Sequence, residues 1–364
     1  DEYNRVLGGI VAAHASDMRF LVSPTLTRIE AQTAFFDKVY KTTQLLALLQ
    51  EYRGGLLIEN MEFVAFESLR GFARAHHIPC RFSYSYWCVQ RLLRTLGFFR
   101  LKVFFLTFYQ VFLGIVSMIL LPWKEKPREN IILSFFDYRS QGAGGEYRDP
   151  YFQPLIEYLR VRGESVAIIV HLMRSSSPRA AIRAILNIRN MNRYADVVPA
   201  ERLLSPLDML RAGIHSLGAP LRISEPVLCL GLDISDMLNW SLREDLCLRN
   251  NWFMAFKCRL LSERIFRLPS LKRVIYPYEN HPWEKMMVLR RNQIGSAVKL
   301  VGFQHTSFSL KLLNHFPSES ERALPTFPDR ILTTGRILKE EFLRNGKYPL
   351  GIIEEGCALR HGYL

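Results

Sequence analysis

Residues 103–123 read VFFLTFYQVFLGIVSMILLPW, a run of 21 residues without a formal charge. A helix of about 20 apolar residues is long enough to cross the hydrocarbon core of a bilayer. Basic residues flank both ends and therefore indicate no orientation in a membrane: Arg100 and Lys102 before the run, and Lys124, Lys126 and Arg128 after it. Three interpretations fit the run: a helix or helical hairpin lying in the membrane interface, a true span, and a core helix or oligomer contact.

On both sides of this run, short apolar segments alternate with amphipathic ones. Before it, residues 20–22 and 56–58 are typical of strands, and helices are predicted over 41–53 and 62–76. After it, the pattern predicts strands at 131–136, 166–170, 227–232, 273–276, 298–303 and 330–334, with helices over 151–162, 174–186 and 238–266 and from about Pro282 and Ile337. This order predicts an α/β fold with a parallel sheet covered by helices on both faces.

The organisation we predict is an α/β part over 1–90, an apolar, basic-flanked membrane-associating insertion over 91–128 and the main α/β part over 129–350. A true span would put the two α/β parts on opposite sides of a bilayer, which is impossible if they share one sheet.

The charge balance favours an anionic partner. The chain has 48 Lys and Arg against 34 Asp and Glu, a formal net charge of +14, which suits a nucleic acid, a membrane surface or a phosphorylated substrate. The basic residues are scattered, and no zinc-finger, RRM or helix-turn-helix signature occurs, so nucleic acid is the least favoured. The six cysteines form no C-x-x-C pair, which predicts free thiols, and no metal-ligand set is evident.

Two clusters of polar residues follow predicted strands, where open α/β sheets bind ligands. In the first, Asn280 or His281 is expected to cap the helix from Pro282, and Glu284 suits its first turn. Glu279 precedes the cap and has no evident structural duty, so we predict a functional carboxylate. In the second, His305 is the best candidate for a general base, with Gln304 and Thr306 beside it.

A third cluster is the glycine-bearing loop 137–149, where Glu146, Arg148 and Asp149 are candidate substrate-binding residues. Its glycines let the backbone approach a ligand, and an arginine can fork onto a phosphate or carboxylate. The loop matches neither G-x-G-x-x-G nor a Walker A motif, and a plain surface loop is an equal interpretation. Asp329, before the last strand, is interpreted as a turn residue.

Together, FDY at 136–138, EYRDPY at 146–151, YENHPWE at 278–284, GFQH at 302–305, PD at 328–329 and TG at 334–335 resemble bacterial surface-carbohydrate (capsule or O-antigen) biosynthesis proteins. These look like GT-B glycosyltransferases, which have two Rossmann-like domains. The resemblance covers about 131–364. It implies sugar transfer from a nucleotide-activated donor to a glycan or lipid-linked glycan at the cytoplasmic face of the inner membrane, with an anionic membrane surface as partner and no further cofactor.

The same resemblance implies roles for particular residues. His305 matches a catalytic base, and Glu279 is the second candidate catalytic residue. The residues expected to bind substrate are His281, Glu284, Gln304, Thr306, Glu146, Arg148 and Asp149. Residues 351–364, with GCALR at 356–360, look like the hinge before a nucleotide-binding domain, so the resemblance implies a chain truncated before its donor half. Two other hypotheses stay open: a nucleotide-sugar epimerase-like enzyme, and a non-catalytic scaffold of a polysaccharide assembly complex.

Overall fold

A computed structural model describes residues 2–28, 35–51, 63–75, 77–78, 98–121, 128–136, 140, 146–172, 178–191, 196–218, 221–245, 251–305 and 312–359. Among the described residues, five helices precede the first strand: α1 Glu2–Ala13, α2 Met18–Val22, α3 Phe35–Glu51, α4 Phe63–Ala75 and α5 Phe98–Leu120. Strands and helices then alternate: β1 Asn130–Phe136, α6 Gln153–Val161, β2 Val166–Leu172, α7 Pro178–Met191, β3 Val197–Pro199 and α8 Pro206–Leu217. The second half continues with β4 Leu228–Cys229, β5 Leu232–Asp233, α9 Ser235–Glu244, α10 Asn251–Ile265, β6 Arg273–Pro277, α11 Pro282–Gln293, β7 Lys299–Phe303, β8 Arg330–Thr333, α12 Arg336–Asn345 and β9 Ile353–Glu355.

Seven of the described strands form one parallel sheet in the order β3-β2-β1-β6-β7-β8-β9. The central strands are apolar and buried on both faces, as expected for a sheet covered by helices. The chain builds outward from β1 to β3 on one side and then from β6 to β9 on the other. This is the order of a Rossmann-like, doubly wound fold, and it places a switch point between β1 and β6.

The predicted sheet is confirmed, but several local predictions differ. Residues 20–22 lie in the short helix α2, which begins because the Asp17 carboxylate accepts the Arg19 backbone N–H at 2.9 Å. Residues 227–232 form the two-strand hairpin β4–β5, turned by Leu230 and Gly231 with φ of 53° and 77°. Residues 238–266 contain two helices, α9 and α10. The predicted strand at 56–58 lies outside the described residues.

Helix α5 covers most of the apolar run. Its inner side packs against α7, α8 and the short 3₁₀ helix Ala200–Leu203, which follows β3. Gly213 on α8 sits so close to Thr107 that a Cβ there would lie 2.3 Å from the Thr107 hydroxyl. Within the described part of the chain, this is the one helix long and apolar enough to cross a membrane by length and composition.

Candidate functional site

The switch point between β1 and β6 places two predicted clusters at one edge of the sheet. Tyr278 and Glu279 follow β6 directly, and Gln304 and His305 follow β7, the next strand along. Because all these strands are parallel, their carboxyl ends meet at the same edge. Ligands of doubly wound sheets bind in the crevice at this position, so the candidate site lies where the topology favours one.

The Glu279 carboxylate faces two imidazoles. Its Oε2 lies 2.6 Å from His281 Nε2, and its Oε1 lies 3.6 Å from His305 Nε2. The first distance is a hydrogen bond, whereas the second is an electrostatic contact. The Glu279 side chain is 39% exposed and the His305 side chain 6% exposed. Glu279 is therefore the member of the group that solvent or a substrate reaches most easily.

The electrostatics of this group keep Glu279 ionised. Burial raises the pKa of Glu279, but the His281 hydrogen bond and the nearby His281, His305 and His315 imidazoles outweigh burial and lower the pKa to about 2. Burial alone would lower the pKa of His281, yet the Glu279 carboxylate raises it. The pair is therefore a stable carboxylate with a proton-holding imidazole.

The turn that carries Glu279 is fixed from two sides. Asn280 has φ of 54°, in the left-handed region that asparagine tolerates better than most residues. Its side-chain amide donates to the Asn314 carbonyl at 2.6 Å, and the Asn314 amide donates back to the Glu279 carbonyl at 2.5 Å. Glu284, in the first turn of α11, accepts the backbone N–H groups of Glu279, Asn280 and His281 at 3.0 to 3.2 Å.

Glu284 thus holds the turn rather than facing the crevice. It is buried, and burial raises its pKa to about 8. His281 is the N-cap of α11, which confirms one of the two alternatives predicted from the sequence, Asn280 or His281.

His305 is held by residues at the end of β8 and by Tyr151, which lies just before α6. The Gln304 backbone N–H donates to the Leu332 carbonyl at 2.8 Å, and Gln304 Oε1 accepts from the Thr334 hydroxyl at 2.8 Å and its N–H at 3.1 Å. Gln304 is buried and anchors the chain just before His305. The Tyr151 ring meets the His305 imidazole edge to face, with ring centroids 4.5 Å apart.

The loop after β1 contributes differently from what the sequence suggested. Asp149 is buried, and its carboxylate accepts from the Tyr151 and Phe152 backbone N–H groups at 2.8 and 2.7 Å and from the Tyr147 hydroxyl at 2.7 Å. Burial raises its pKa despite these donors. Asp149 therefore orients Tyr151 toward His305.

The other predicted loop residues lie at the surface. Glu146 and Arg148 are exposed, and the Arg148 backbone N–H donates to the Ser140 carbonyl at 3.0 Å. Thr306 and residues 137–139 and 141–145 lie outside the described residues.

Several residues of the site were not predicted from the sequence. Phe135, Trp283 and His171 form an aromatic wall beside the switch point, with ring centroids 5.6 to 6.3 Å apart. His171 is buried, and burial lowers its pKa to about 4. The one sequence signal was a histidine near the carboxyl end of an otherwise apolar strand.

His315 was also missed. It approaches Glu279 through the 3₁₀ turn Leu313–His315, and burial lowers its pKa to about 4. No spacing in the sequence connects it with Glu279, 36 residues earlier.

The arrangement suits acid–base chemistry. A carboxylate beside imidazoles can orient a histidine and stabilise the imidazolium that forms when it takes a proton. Among the described residues, no group of three or more His, Cys, Asp or Glu side chains is placed to hold a metal ion. The three cysteines in the described ranges, Cys229, Cys258 and Cys357, are free thiols.

Comparisons of the chain with protein-family models, curated proteins and solved structures give no match. The fold is shared by proteins of many activities, so function has to be inferred from the site.

Proposed function

We propose that this chain supplies the catalytic base and the acceptor-side site of a GT-B-like glycosyltransferase, which transfers a sugar from a nucleotide-activated donor to a surface-polysaccharide acceptor. The observation that carries the proposal is the Glu279–His281–His305 group at the switch point of a doubly wound sheet. A second support is Tyr151, which packs on His305 and leaves the Nε2 side of the ring toward Glu279. The resemblance named above makes sugar transfer the best match for such a group.

In the proposed reaction, an acceptor hydroxyl lies against His305 Nε2. As its oxygen bonds to the anomeric carbon of the sugar, the proton passes to His305. The bond between that carbon and the nucleotide's phosphate oxygen breaks, and the nucleotide leaves with the electron pair. Glu279 stabilises the imidazolium, because its carboxylate lies 3.6 Å from His305 Nε2 and stays ionised.

The test uses His305→Ala and Glu279→Gln in the gene as it is encoded, with surface polysaccharide measured in the cells that make it. A general base contributes about 100-fold or more to a rate, so we expect His305→Ala to reduce polymer synthesis by at least that factor. Glu279→Gln should reduce it less, because it removes the stabilising charge and keeps the side-chain shape. His305→Ala should unfold thermally close to wild type. Glu279→Gln should unfold at a lower temperature, because the ionised carboxylate contributes stability, but it should remain folded at the temperature of the assay.

Matched controls are His14→Ala, which changes an imidazole stacked on Phe20, and Glu340→Gln, on the exposed side of α12. Both should keep full synthesis. Full synthesis in folded His305→Ala and Glu279→Gln protein would refute the site and favour the scaffold hypothesis. A modified nucleotide sugar released without any acceptor would favour the epimerase-like hypothesis instead.

A further inference from the structure

Helix α5 has two different sides. On its inner side, Val103, Thr107 and Leu113 are buried, and the side-chain amide oxygen of Gln110 accepts from the Lys257 ammonium at 3.1 Å. On its outer side, seven large apolar side chains are 42 to 75% exposed at helical spacing: Leu101, Phe104, Phe105, Phe108, Phe112, Ile115 and Ile119. A water-soluble surface rarely exposes so continuous an apolar strip, which marks this side as an interaction surface.

Helix α8 extends this strip. Thr107 of α5 touches Gly213 of α8, whereas Arg202, just before α8, donates to the Leu121 carbonyl just after α5 at 2.6 Å. The two helices therefore run antiparallel. On α5, the exposed Phe104 lies three residues before Thr107, and the exposed Phe108 lies one residue after it. On α8, the exposed Leu210 and Ile214 lie at the same offsets from Gly213.

In two antiparallel helices, residues at the same sequence offset from the contacting residue of each helix point to the same side of the helix pair. The outer strip of α5 and the exposed strip of α8, to which Leu207 also belongs, are therefore neighbours. We call the two strips together the apolar face.

The rim of the apolar face is basic. Arg100 and Lys102 lie at the start of α5, and Arg211 is exposed on α8. Helix α7, which contacts α5, exposes Arg183 and Arg189 and contains no acidic residue; neither does α5. The one acidic residue of α8, Asp208, is buried beneath Ser205 and Arg264. An apolar strip with a cationic rim is complementary to anionic lipid headgroups over acyl chains.

We propose that the apolar face docks into the interfacial layer of an anionic bilayer, with α5 lying along the surface. A span is incompatible with the contacts of the inner side. The Lys257 ammonium bridges Gln110 to the Glu201 carboxylate at 2.5 Å, and Arg202 holds the carbonyl of Leu121. These contacts tie the middle and the carboxyl-terminal end of α5 to the body of the protein.

Docking has a consequence for the proposed reaction, and this step rests on the proposed function. The 3₁₀ helix Ala200–Leu203, against which α5 packs, directly follows the carboxyl end of β3. Glu279 and His305 follow the carboxyl ends of β6 and β7 in the same parallel sheet. The helix that carries the apolar face and the catalytic group thus both lie at the edge where the parallel strands have their carboxyl ends. This placement favours an acceptor anchored in the bilayer.

The docking is tested by flotation of the full chain with vesicles, an assay that needs no catalysis. Wild type should float with vesicles of phosphatidylcholine and phosphatidylglycerol, bind phosphatidylcholine alone more weakly, and lose binding as salt rises. Phe105→Glu/Ile119→Glu changes two of the most exposed positions of the face and should lower binding at least about tenfold. Arg183→Glu/Arg189→Glu should lower binding to anionic vesicles about tenfold and should leave the weaker binding to phosphatidylcholine vesicles unchanged.

The matched control is Val161→Glu/Ile337→Glu, two apolar side chains 88% and 77% exposed on α6 and α12. It should bind like wild type. Equal binding by the Phe105→Glu/Ile119→Glu variant would overturn the proposal. So would resistance of the wild type to alkaline extraction, which indicates a span, or a wild-type dimer that this variant converts to monomers without any vesicle binding. Because flotation does not depend on His305, docking and the proposed chemistry can fail independently.

Discussion

Glu279 shows how one side chain can be set by contacts that are remote in sequence. Its hydrogen bond to His281 is local, but the backbone turn beneath it depends on Asn314, and a further imidazole comes from His305. The left-handed Asn280 between them is tolerated because its own amide is satisfied by the Asn314 carbonyl. The position of the carboxylate is therefore determined by three segments at once.

Replacing His281 by Ala should raise the pKa of Glu279 above its value of about 2, because burial would then act with much less opposition. A carboxyl whose pKa is depressed contributes stability above its unfolded value of about 4.5 and loses it as the pH falls through the folded value. In wild type this loss comes near pH 2, and in His281→Ala it should come at higher pH.

The check is a carbon-13 NMR titration of the glutamate carboxyls, with Glu279→Gln to assign the resonance. His14→Ala should leave the Glu279 titration where it is in wild type. An unchanged Glu279 titration in His281→Ala would contradict the geometry of the pair.

At the scale of elements, the site depends on a close approach between β7 and the segment after β6. Gly302 pairs with Tyr276 in the sheet, and the Tyr278 backbone N–H donates to the Phe303 carbonyl at 2.8 Å. A Cβ on Gly302 would lie 2.8 Å from Tyr278 Cδ2 and 3.0 Å from its Cβ. Only a glycine lets the Tyr278 ring lie against the strand and so brings Glu279 beside His305.

We therefore expect Gly302→Ala to destabilise the protein by about 1–3 kcal/mol, the usual range for overpacking a buried position. Tyr278 is buried next to Phe342, so it has little freedom to give way. Gly71→Ala is the matched control: its Cβ meets nothing within 4 Å on the exposed side of α4, and alanine should stabilise the helix by up to about 1 kcal/mol. Guanidinium unfolding of both variants measures the difference, and equal stability of Gly302→Ala and wild type would refute the contact.

At the scale of the whole molecule, the N-terminal helices are part of the same body as the sheet. Residues of α1, α2, α3 and α4 share one hydrophobic core with β1, β2, β6 and β7. Buried polar contacts join them as well: Arg28 pairs with Glu321 at 2.6 Å, and the Asp245 carboxylate accepts from the Ser23 and Thr25 hydroxyls at 2.7 Å each. Residues more than 200 positions apart in sequence are thus held together.

Asp245 predicts a pH dependence of this association. Burial raises its pKa to about 7 against the pull of its hydroxyl donors. The folded protein therefore binds a proton there that the unfolded chain has lost, and stability falls as pH rises from about 4 to about 7. Each tenfold change in acidity corresponds to about 1.4 kcal/mol, so the loss is on the order of 4 kcal/mol.

In Asp245→Asn, the amide oxygen can still accept from the Ser23 hydroxyl, and the amide NH2 can donate to the Thr25 hydroxyl oxygen. The asparagine side chain does not titrate. Its unfolding free energy should fall less steeply than that of wild type between pH 4 and 7. Chemical unfolding at several pH values gives both curves. Parallel curves would show that Asp245 is ionised in the folded state throughout.

The sequence predicted much of the sheet, because buried strands of a parallel sheet are short, apolar and bounded by turn residues. The segments 131–136, 166–170, 273–276 and 298–303 all lie in strands within a residue or two of the predicted bounds. The prediction failed where an apolar segment was too short for its hydrophobic periodicity to distinguish a strand from a helix. Residues 20–22 are apolar like a strand but form α2, and β3 and β9, of three residues each, were not predicted.

By itself, the amino-acid sequence determined the α/β class, the strand ends that carry Glu279 and His305, and the presence of an apolar helix with basic flanks. These features depend on the composition and the hydrophobic periodicity of short segments, which can be read from neighbouring residues in the sequence. Only the tertiary structure decided the strand order, the approach of His315 and Tyr151 to the pair, the structural roles of Glu284, Gln304 and Asp149, and which side of α5 is buried. Those follow from packing between segments far apart in sequence, because a side chain's partners are set by the whole core and not by its neighbours along the chain.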